Sequence, residues 1–215
     1  MKMIPRVVDI SHYERVGGTG PASAGFAKAA AFGIWGVIHK CTEARGILDV
    51  FYAKRRQPAL DAGLLYGAYH FMRPGDVQQQ VDHFLDCAEP DAATLLALDH
   101  EDRDVPLTNA RKFMELVKER VGRYPVLYSG FLIKEQLGDR KDSFWSKRRL
   151  WLCHYAVTPK WPRAWQSPWL IQYTGDGRGP EPHKVPGIDL GPKNAEIDVN
   201  HYGDTRDQLE AEWAS

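Results

Sequence analysis

The feature that most constrains the fold is a short apolar run, rich in β-branched and aromatic residues, that recurs along the chain and ends each time in polar residues. The runs are Arg6–Ser11, Gly36–Thr42, Tyr66–Phe71, Thr94–Glu101, Tyr124–Ser129, Leu150–Ala156, Trp169–Thr174 and Ala195–His201. Runs of this length and composition, bounded by turn-forming residues, are typical of β-strands. The sequence therefore predicts eight strands.

Helical periodicity fills the intervals between the first five of these strands. The predicted helices are Ala22–Phe32, Val50–Ala62, Val77–Ala88 and Leu107–Val121. Strands that alternate with helices predict a parallel sheet, and eight of them predict a closed barrel rather than an open doubly wound sheet. After Arg140 the connections become rich in Trp, Pro and Gly, so helices there should be short or missing. We therefore predict an α/β fold, an irregular (β/α)8 TIM-like barrel, regular in its first half and with reduced helices in its second half.

Length and charge restrict the classes of function. A chain of 215 residues with 43% hydrophobic residues fits one catalytic barrel domain over residues 1–215. The 28 basic and 28 acidic residues cancel, which disfavours nucleic-acid partners and binding to a membrane surface. We expect a monomer without membrane insertion. We also expect synthesis in the cytoplasm without a signal peptide, because the first residues contain no apolar run as long as that of a signal peptide. Cys41, Cys87 and Cys153 lie far apart, and we expect buried free thiols.

In a parallel barrel, the residues that carry out chemistry lie at the C-terminal ends of the strands. At these ends the sequence places carboxylic acids, aromatic residues and one amide. They are Asp9, Glu43, Tyr69, Phe71, Asp99, Glu101, Tyr128, Tyr155, Gln172, Tyr173 and Asp198. This set contains no lysine suited to a Schiff base and no serine paired with a nearby histidine. Acid–base chemistry with carboxyl groups is therefore the favoured interpretation.

The sharpest local signal is Asp99-His100-Glu101, which follows an apolar run. Residues two apart on a strand share a face, so the two acids should point together with their Cα atoms about 6.6 Å apart. Two carboxyl groups that close cannot be equally acidic, and the pKa of one rises. A protonated acid near neutrality can protonate a glycosidic oxygen, while its ionised neighbour stabilises positive charge at the sugar. An isolated Asp-x-Glu pair is commonplace, but Asp9 and Asp198 occur in two further strand runs.

The histidines and tyrosines allow further expectations. His70, His100, His154 and His201 fall on predicted strands and could join the acids in a metal site. The spacing contains no His-x-His or His-x-x-x-His pair, so we predict neither a catalytic metal nor another cofactor. Sugars expose apolar faces that stack on aromatic rings, and we expect such stacking from tyrosines at the strand ends.

Together these residues resemble the glycoside hydrolase family 25 lysozymes, the Chalaropsis-type muramidases that include phage endolysins. The matching pieces are Val8-Asp9-Ile10-Ser11, Lys40-Cys41-Thr42-Glu43, Tyr69-His70-Phe71, Asp99-His100-Glu101, Tyr128-Ser129, Leu150-Trp151-Leu152, Trp169-Leu170-Ile171-Gln172-Tyr173 and Ile197-Asp198-Val199-Asn200, in family order from residue 7 to residue 200. The resemblance implies an irregular β/α barrel that cleaves the β-1,4 bond between N-acetylmuramic acid and N-acetylglucosamine. It also implies Glu101 as the proton donor, with Asp9, Asp99 and Asp198 as the other acids. Substrate binding is expected from Glu43, Tyr69, Phe71, Tyr128, Tyr155, Gln172 and Tyr173.

The mechanism and two competing functions stay open at this point. Two acids on one strand do not easily straddle both faces of a sugar ring, which favours attack by the substrate's own N-acetyl oxygen over a covalent enzyme ester. Inversion through a water is the alternative. A hydrolase of chitin-like polymers would use the same acids, and a catalytically inactive barrel would only bind peptidoglycan. Release by phage lysis or delivery on a virion is the expected route to the cell wall, with secretion as an effector as the alternative.

Overall fold

The computed structural model describes residues 3–191 and 196–215, and within these ranges it contains eleven strands and six α-helices. The strands are β1 (Pro5–Ile10), β2 (Arg15–Val16), β3 (Gly36–Glu43), β4 (Ile47–Leu48), β5 (Leu65–Phe71), β6 (Leu95–Asp99), β7 (Val126–Ser129), β8 (Leu150–Cys153), β9 (Leu170–Thr174), β10 (Ile188–Asp189) and β11 (Val199–His201). The helices are α1 (Ala22–Phe32), α2 (Tyr52–Asp61), α3 (Val77–Ala88), α4 (Leu107–Val121), α5 (Phe131–Leu137) and α6 (Arg206–Trp213), with a 3₁₀ turn at Trp145–Lys147.

Eight of the strands form a closed barrel in the order β1, β3, β5, β6, β7, β8, β9, β11, with β11 pairing back to β1. The predicted closed α/β barrel is thereby confirmed. The expectation of a wholly parallel sheet is wrong for β11, which runs antiparallel to both β1 and β9. The connection after β9 stays at one end of the barrel, where β10 pairs with β2. A chain that does not cross back over the barrel enters its next strand from the same end, and that strand is antiparallel.

The predicted helices form where the periodicity placed them. α1, α3 and α4 have the predicted bounds, and α2 is shorter than its prediction by a residue or two at each end. Gly33 and Gly122 end α1 and α4 with φ values of 110° and 80°, which glycine adopts without steric cost. In the second half, α5 has only seven residues, and residues 154–169 between β8 and β9 contain no helix or strand. The predicted reduction of helices is confirmed.

The barrel is filled at one end, which leaves the other end for chemistry. Inside it, Val7, Leu95 and Leu170 belong to one buried cluster that also includes Trp213 of α6. A Cβ on Gly36 would lie 2.8 Å from the Trp213 ring, so this tryptophan closes the floor of the barrel. The aliphatic and aromatic faces of α1, α3 and α4 pack in a second layer outside the strands.

Two further expectations concern the whole chain. The three cysteines are free thiols, as predicted, but only Cys41 is buried, whereas Cys87 and Cys153 are partly exposed. Among the described helices, none has the length and apolar character needed to cross a membrane.

Candidate active site

Of the four acids singled out in the sequence, two lie in strands and two lie just outside strands, all at the same end of the barrel. Asp9 lies in β1 and Asp99 is the last residue of β6, whereas Glu101 lies two residues beyond that strand. Asp198 immediately precedes β11 instead of lying inside it. The predicted strand began at Ala195, which lies outside the described residues. Because β11 runs against its neighbours, its N-terminal end meets the C-terminal ends of the parallel strands, and this reversal brings Asp198 to the other acids.

These four acids line one cleft of about 410 Å³. The predicted binding residues Tyr69, Phe71 and Tyr128 line it as well. Residues that the sequence did not single out complete the wall: Ser11, Tyr13, Glu14, Lys40, Trp151, Asp176, Leu190, Glu196 and Ile197. Most of them lie in loops, where no periodicity marks which side chain faces the cleft. Lys40 and Trp151 lie on strands. Residues two apart on a strand share a face, so Lys40 points into the barrel with Ile38, and Trp151 does so with Cys153.

The Asp9 carboxylate is held by two amides. Asn200 Nδ2 donates to Asp9 Oδ1 at 2.7 Å, and Gln172 Nε2 donates to Asp9 Oδ2 at 2.9 Å. Burial raises the pKa of Asp9 to about 6, and the two amide hydrogen bonds oppose that rise. Both carboxylate oxygens therefore have fixed partners, and the group cannot rotate freely toward a ligand.

Gln172 is the centre of this hydrogen-bond network and lies beneath the cleft. Its Oε1 accepts from the hydroxyl of Tyr128 at 2.8 Å and from that of Tyr155 at 3.1 Å. The side chain is buried and does not belong to the wall of the cleft. Gln172 is thus placed to orient Asp9 and two tyrosines, which differs from the substrate contact expected for it. Asn200, for which we predicted no separate role, also accepts from Trp151 Nε1 at 2.6 Å.

Asp99 and Glu101 differ in their exposure. Asp99 is 6% exposed, and its Oδ1 has no hydrogen-bond partner among the described residues. Burial, followed by repulsion from Glu101 and Asp9, raises the pKa of Asp99 well above its ordinary value. Glu101 is open to solvent at the cleft, yet the loss of water around its carboxyl group and repulsion from Asp9 and Asp176 raise its pKa to about 7. An accessible carboxyl group that titrates near neutrality can donate and then accept a proton.

Asp198, immediately before β11, is half-buried. Burial, then repulsion from Asp9 and Glu14, raises its pKa to about 9. The backbone of Gly175 presses against it, because a Cβ on that glycine would lie 2.3 Å from Asp198 Oδ1 and 2.2 Å from the Tyr155 hydroxyl. No side chain other than hydrogen fits at Gly175 while Asp198 keeps its position.

Two residues expected to bind substrate lie elsewhere. Tyr173 follows Gln172 on β9 and so faces the opposite side of the sheet, where it is fully buried and its hydroxyl donates to the carbonyl oxygen of Pro182 at 3.2 Å. Glu43 lies outside the cleft wall and pairs with Lys40 and with Arg73 Nε, the latter at 2.9 Å. Burial opposes ionisation of Glu43, but hydrogen bonds from Lys40 and Arg73 keep its pKa below the ordinary value.

No histidine of the described residues lines the cleft that holds the four acids. His70 lies in the outer layer, where it bonds Thr42 Oγ1 at 2.8 Å and Gln80 Oε1 at 3.1 Å. Within residues 3–191 and 196–215, no group of three His, Cys, Asp or Glu side chains is arranged to hold a metal ion. The cleft instead brings together carboxyl groups and aromatic rings, with Lys40 as its one cation among the described residues.

Comparison with known proteins places these features in a family context. A sequence profile described as glycosyl hydrolases family 25 matches residues 8–181. Among curated proteins, the "Uncharacterized protein YegX" of Escherichia coli O157:H7 is 26% identical over 179 residues, which cover 80% of this chain and 60% of that protein. A YegX sequence from a second Escherichia coli strain matches over 44% of its length. The chain thus spans less than two thirds of these curated relatives.

Solved structures resemble the whole chain. The bacterial lysozyme from Streptomyces coelicolor superposes with a TM-score of 0.80 at 22% identity, covering 100% of this chain and 98% of that one. The muramidase from Trichobolus zukalii superposes with a TM-score of 0.77 at 25% identity, covering 98% and 99% of the two chains. The barrel therefore has a fold that other solved proteins share.

Proposed function

Because this chain belongs to glycosyl hydrolases family 25, as its motifs had indicated, we propose that it hydrolyses the glycan strands of bacterial peptidoglycan as a muramidase. The bond cut is the β-1,4 bond between N-acetylmuramic acid and N-acetylglucosamine. The similarity to a lysozyme and a muramidase supports this choice over a chitin-type substrate. The acid cluster supports hydrolysis over mere binding, because a binding module gains nothing from a half-protonated carboxyl group.

One observation carries the proposal: Glu101 is accessible in a cleft walled by acids and has a pKa of about 7. At neutral pH about half of such groups hold a proton, which suits a residue that acts as an acid and later as a base. We assign Glu101 as the proton donor to the leaving glycosidic oxygen. Asp9, with both oxygens fixed by amides, supplies negative charge opposite the sugar carbon that becomes positive.

For Asp99 we propose a role on the substrate's acetamide group. Its buried carboxyl group has one oxygen without a partner among the described residues, and that oxygen can accept the acetamide N–H. The acetamide oxygen then attacks the anomeric carbon while the glycosidic C–O bond breaks and Glu101 protonates the leaving oxygen. Water, deprotonated by Glu101, opens the cyclic intermediate and restores the acetamide. This route gives retention of configuration, whereas direct attack by water gives inversion.

The assignment of Glu101 is tested by Glu101→Gln, which keeps the shape and removes the transferable proton. We expect at least a roughly 100-fold loss of rate on purified peptidoglycan, the low end for loss of a general acid. Turbidity and new reducing ends measure the rate, and identification of the end sugar separates muramidase from glucosaminidase. Glu119→Gln on the exposed face of α4 is the matched control and should keep full activity. Wild-type lysis by the Glu101 variant contradicts the assignment, and cleavage of chitin but not peptidoglycan contradicts the substrate.

The acetamide mechanism has its own test. Glycans whose muramic acid lacks the N-acetyl group should bind but be cut far more slowly, and Asp99→Asn should lower the rate while leaving binding largely intact. Product stereochemistry, followed by NMR, reads out retention against inversion. A glycosyl ester trapped on Asp99, seen as a mass increase on a peptide spanning residues 94–103, overturns the proposal. Action at the cell wall after release from the producing cell by phage lysis or on a virion stays a prediction.

A further inference from the structure

A second pocket, of about 500 Å³, opens on the other side of Glu101. Among the described residues, Glu101 alone lines both this pocket and the acidic cleft. The other side chains of its wall come from the loop after β6, from the start of α5, and from the loops after β8 and β9. They include Arg103, Phe131, His154, Tyr155 and Arg178. A ligand bound across Glu101 therefore extends from the cleft into this pocket.

The two sides of Glu101 carry opposite charge. Among the described residues, the cleft wall holds seven acidic side chains, counting Glu101, and one lysine. The second pocket holds Arg103 and Arg178, and Lys134 lies behind it with its Nζ 3.4 Å from His154 Nδ1. An anionic group is repelled from the first region and attracted to the second.

The arginines of this pocket are available to a ligand. Arg103 pairs with Glu135 at 3.0 Å, but these side chains are 74% and 49% exposed, and an ion pair so open to water is weak. Arg178 is exposed and its guanidinium pairs with no acidic side chain among the described residues. Neither guanidinium is committed to holding the fold together.

An exposed aromatic ring lies between these charges. Phe131 is 69% exposed, with its ring centroid 6.1 Å from that of His154 and 5.2 Å from Lys134 Nζ. A phenylalanine so exposed beside the proposed catalytic acid offers apolar surface that a ligand can cover. We name Arg103, Lys134 and Arg178, together with Phe131, the cationic shelf.

We propose that the cationic shelf binds the peptide stem carried by a muramic acid next to Glu101, so that stem-bearing peptidoglycan is preferred over bare glycan. The inference rests on the proposed function, which places the glycan across Glu101. Each stem is joined to the lactyl group of muramic acid and bears free carboxylates and methyl side chains. The carboxylates match Arg103 and Arg178, and the methyl groups match the Phe131 ring. The acidic cleft excludes the stem from the region where the sugar reacts.

The test uses calorimetry to compare the affinities of two ligands for the Glu101→Gln variant, which should not hydrolyse them. One is a tetrasaccharide of alternating N-acetylglucosamine and N-acetylmuramic acid with tetrapeptide stems, and the other is the same tetrasaccharide after an amidase has removed the stems. The stem-bearing ligand should bind about three- to tenfold more tightly, as expected from two exposed charge contacts. When Arg103→Ala and Arg178→Ala are introduced into the same variant, the difference in affinity between the two ligands should disappear. Salt at 0.5 M should reduce that difference. Arg120→Ala, an exposed arginine paired with Asp82 on the outer helices, is the control and should preserve it.

The outcomes separate the two proposals. Equal binding of both ligands overturns the shelf and leaves the muramidase proposal standing. If the arginine substitutions lower the affinity for both ligands equally, the shelf binds glycan, and this result also overturns the inference. A gain seen only with wall fragments that carry anionic phosphate polymers assigns the shelf to that partner instead. If neither tetrasaccharide binds and neither is cut by the unsubstituted protein, the proposed function itself fails.

Discussion

Asp198→Asn should make the protein more stable while impairing the site. The pKa of Asp198 is raised to about 9 in the folded protein, against an ordinary value of 3.8. Between these two pH values the unfolded chain has lost a proton that the folded chain still holds. Folded protein therefore binds more protons, and by linkage its stability falls as pH rises through that window. Asparagine has nearly the same shape and no charge, so the variant does not lose this stability as pH rises.

The size of the effect follows from that interval. A tenfold difference in proton affinity corresponds to about 1.4 kcal/mol, so between pH 3.8 and pH 7 the upper limit for Asp198 is on the order of 4 kcal/mol. Because the side chain is only half-buried, water screens its interactions, and we discount this to about 2 kcal/mol. For a protein of this length, such a change raises the melting temperature by about 4–8 °C.

Thermal unfolding of both forms at pH 4, 7 and 9 measures the effect. The two melting temperatures should nearly coincide at pH 4 and separate progressively toward pH 9, with the variant higher. Asp86→Asn, an exposed acid on α3 far from the cleft, is the matched control and should change stability by less than about 0.5 kcal/mol at every pH. A variant that melts at or below the wild-type temperature at pH 7, or a separation that shrinks as pH rises, refutes the reasoning.

Three further predictions concern the supports of the site and the barrel. Asn200→Ala removes a hydrogen bond to a buried carboxylate and should lower the free energy of unfolding in urea by about 2–4 kcal/mol. The acid limb of the pH–rate profile should also shift to higher pH, because the pKa of Asp9 rises further. Gly175→Ala should reduce activity more than tenfold, whereas Gly46→Ala, whose Cβ meets nothing within 4 Å, should leave it unchanged; equal activities contradict the close packing. Trp213→Ala opens the barrel floor and should cost about 3–5 kcal/mol, and a loss below 1 kcal/mol shows that the floor is not closed by this ring.

Local sequence patterns predicted most of the fold. The period of 3.6 residues predicted the bounds of α1, α3 and α4, and the short apolar runs located every barrel strand. These features depend on neighbours a few residues apart, so they are legible in the sequence. The alternation along β6 placed Asp99 on the face of Leu95 and Ala97, inside the barrel, and pointed to Glu101 just beyond it.

The direction of β11 was decided only by closure of the barrel. A strand of three residues has no local signal for parallel or antiparallel pairing. Its partners are residues 5–8 and 171–174, and the backbone of these two strands fixes its direction and register. The position of Asp198 depends on that direction, so the sequence placed Asp198 inside a strand that it precedes in the structure.

What the sequence determined by itself was the location of the eight barrel strands and of helices α1 to α4, the alternation that places Asp99 and Glu101 on one face, and the family motifs. What only the tertiary structure decided was which amides hold Asp9, that Tyr173 faces outward while Gln172 faces inward, and that opposite charges flank Glu101. The physical reason is range: periodicity acts over a few residues, whereas the bond from Asn200 to Asp9 joins positions 191 residues apart. Contacts of that separation exist only once the barrel has closed.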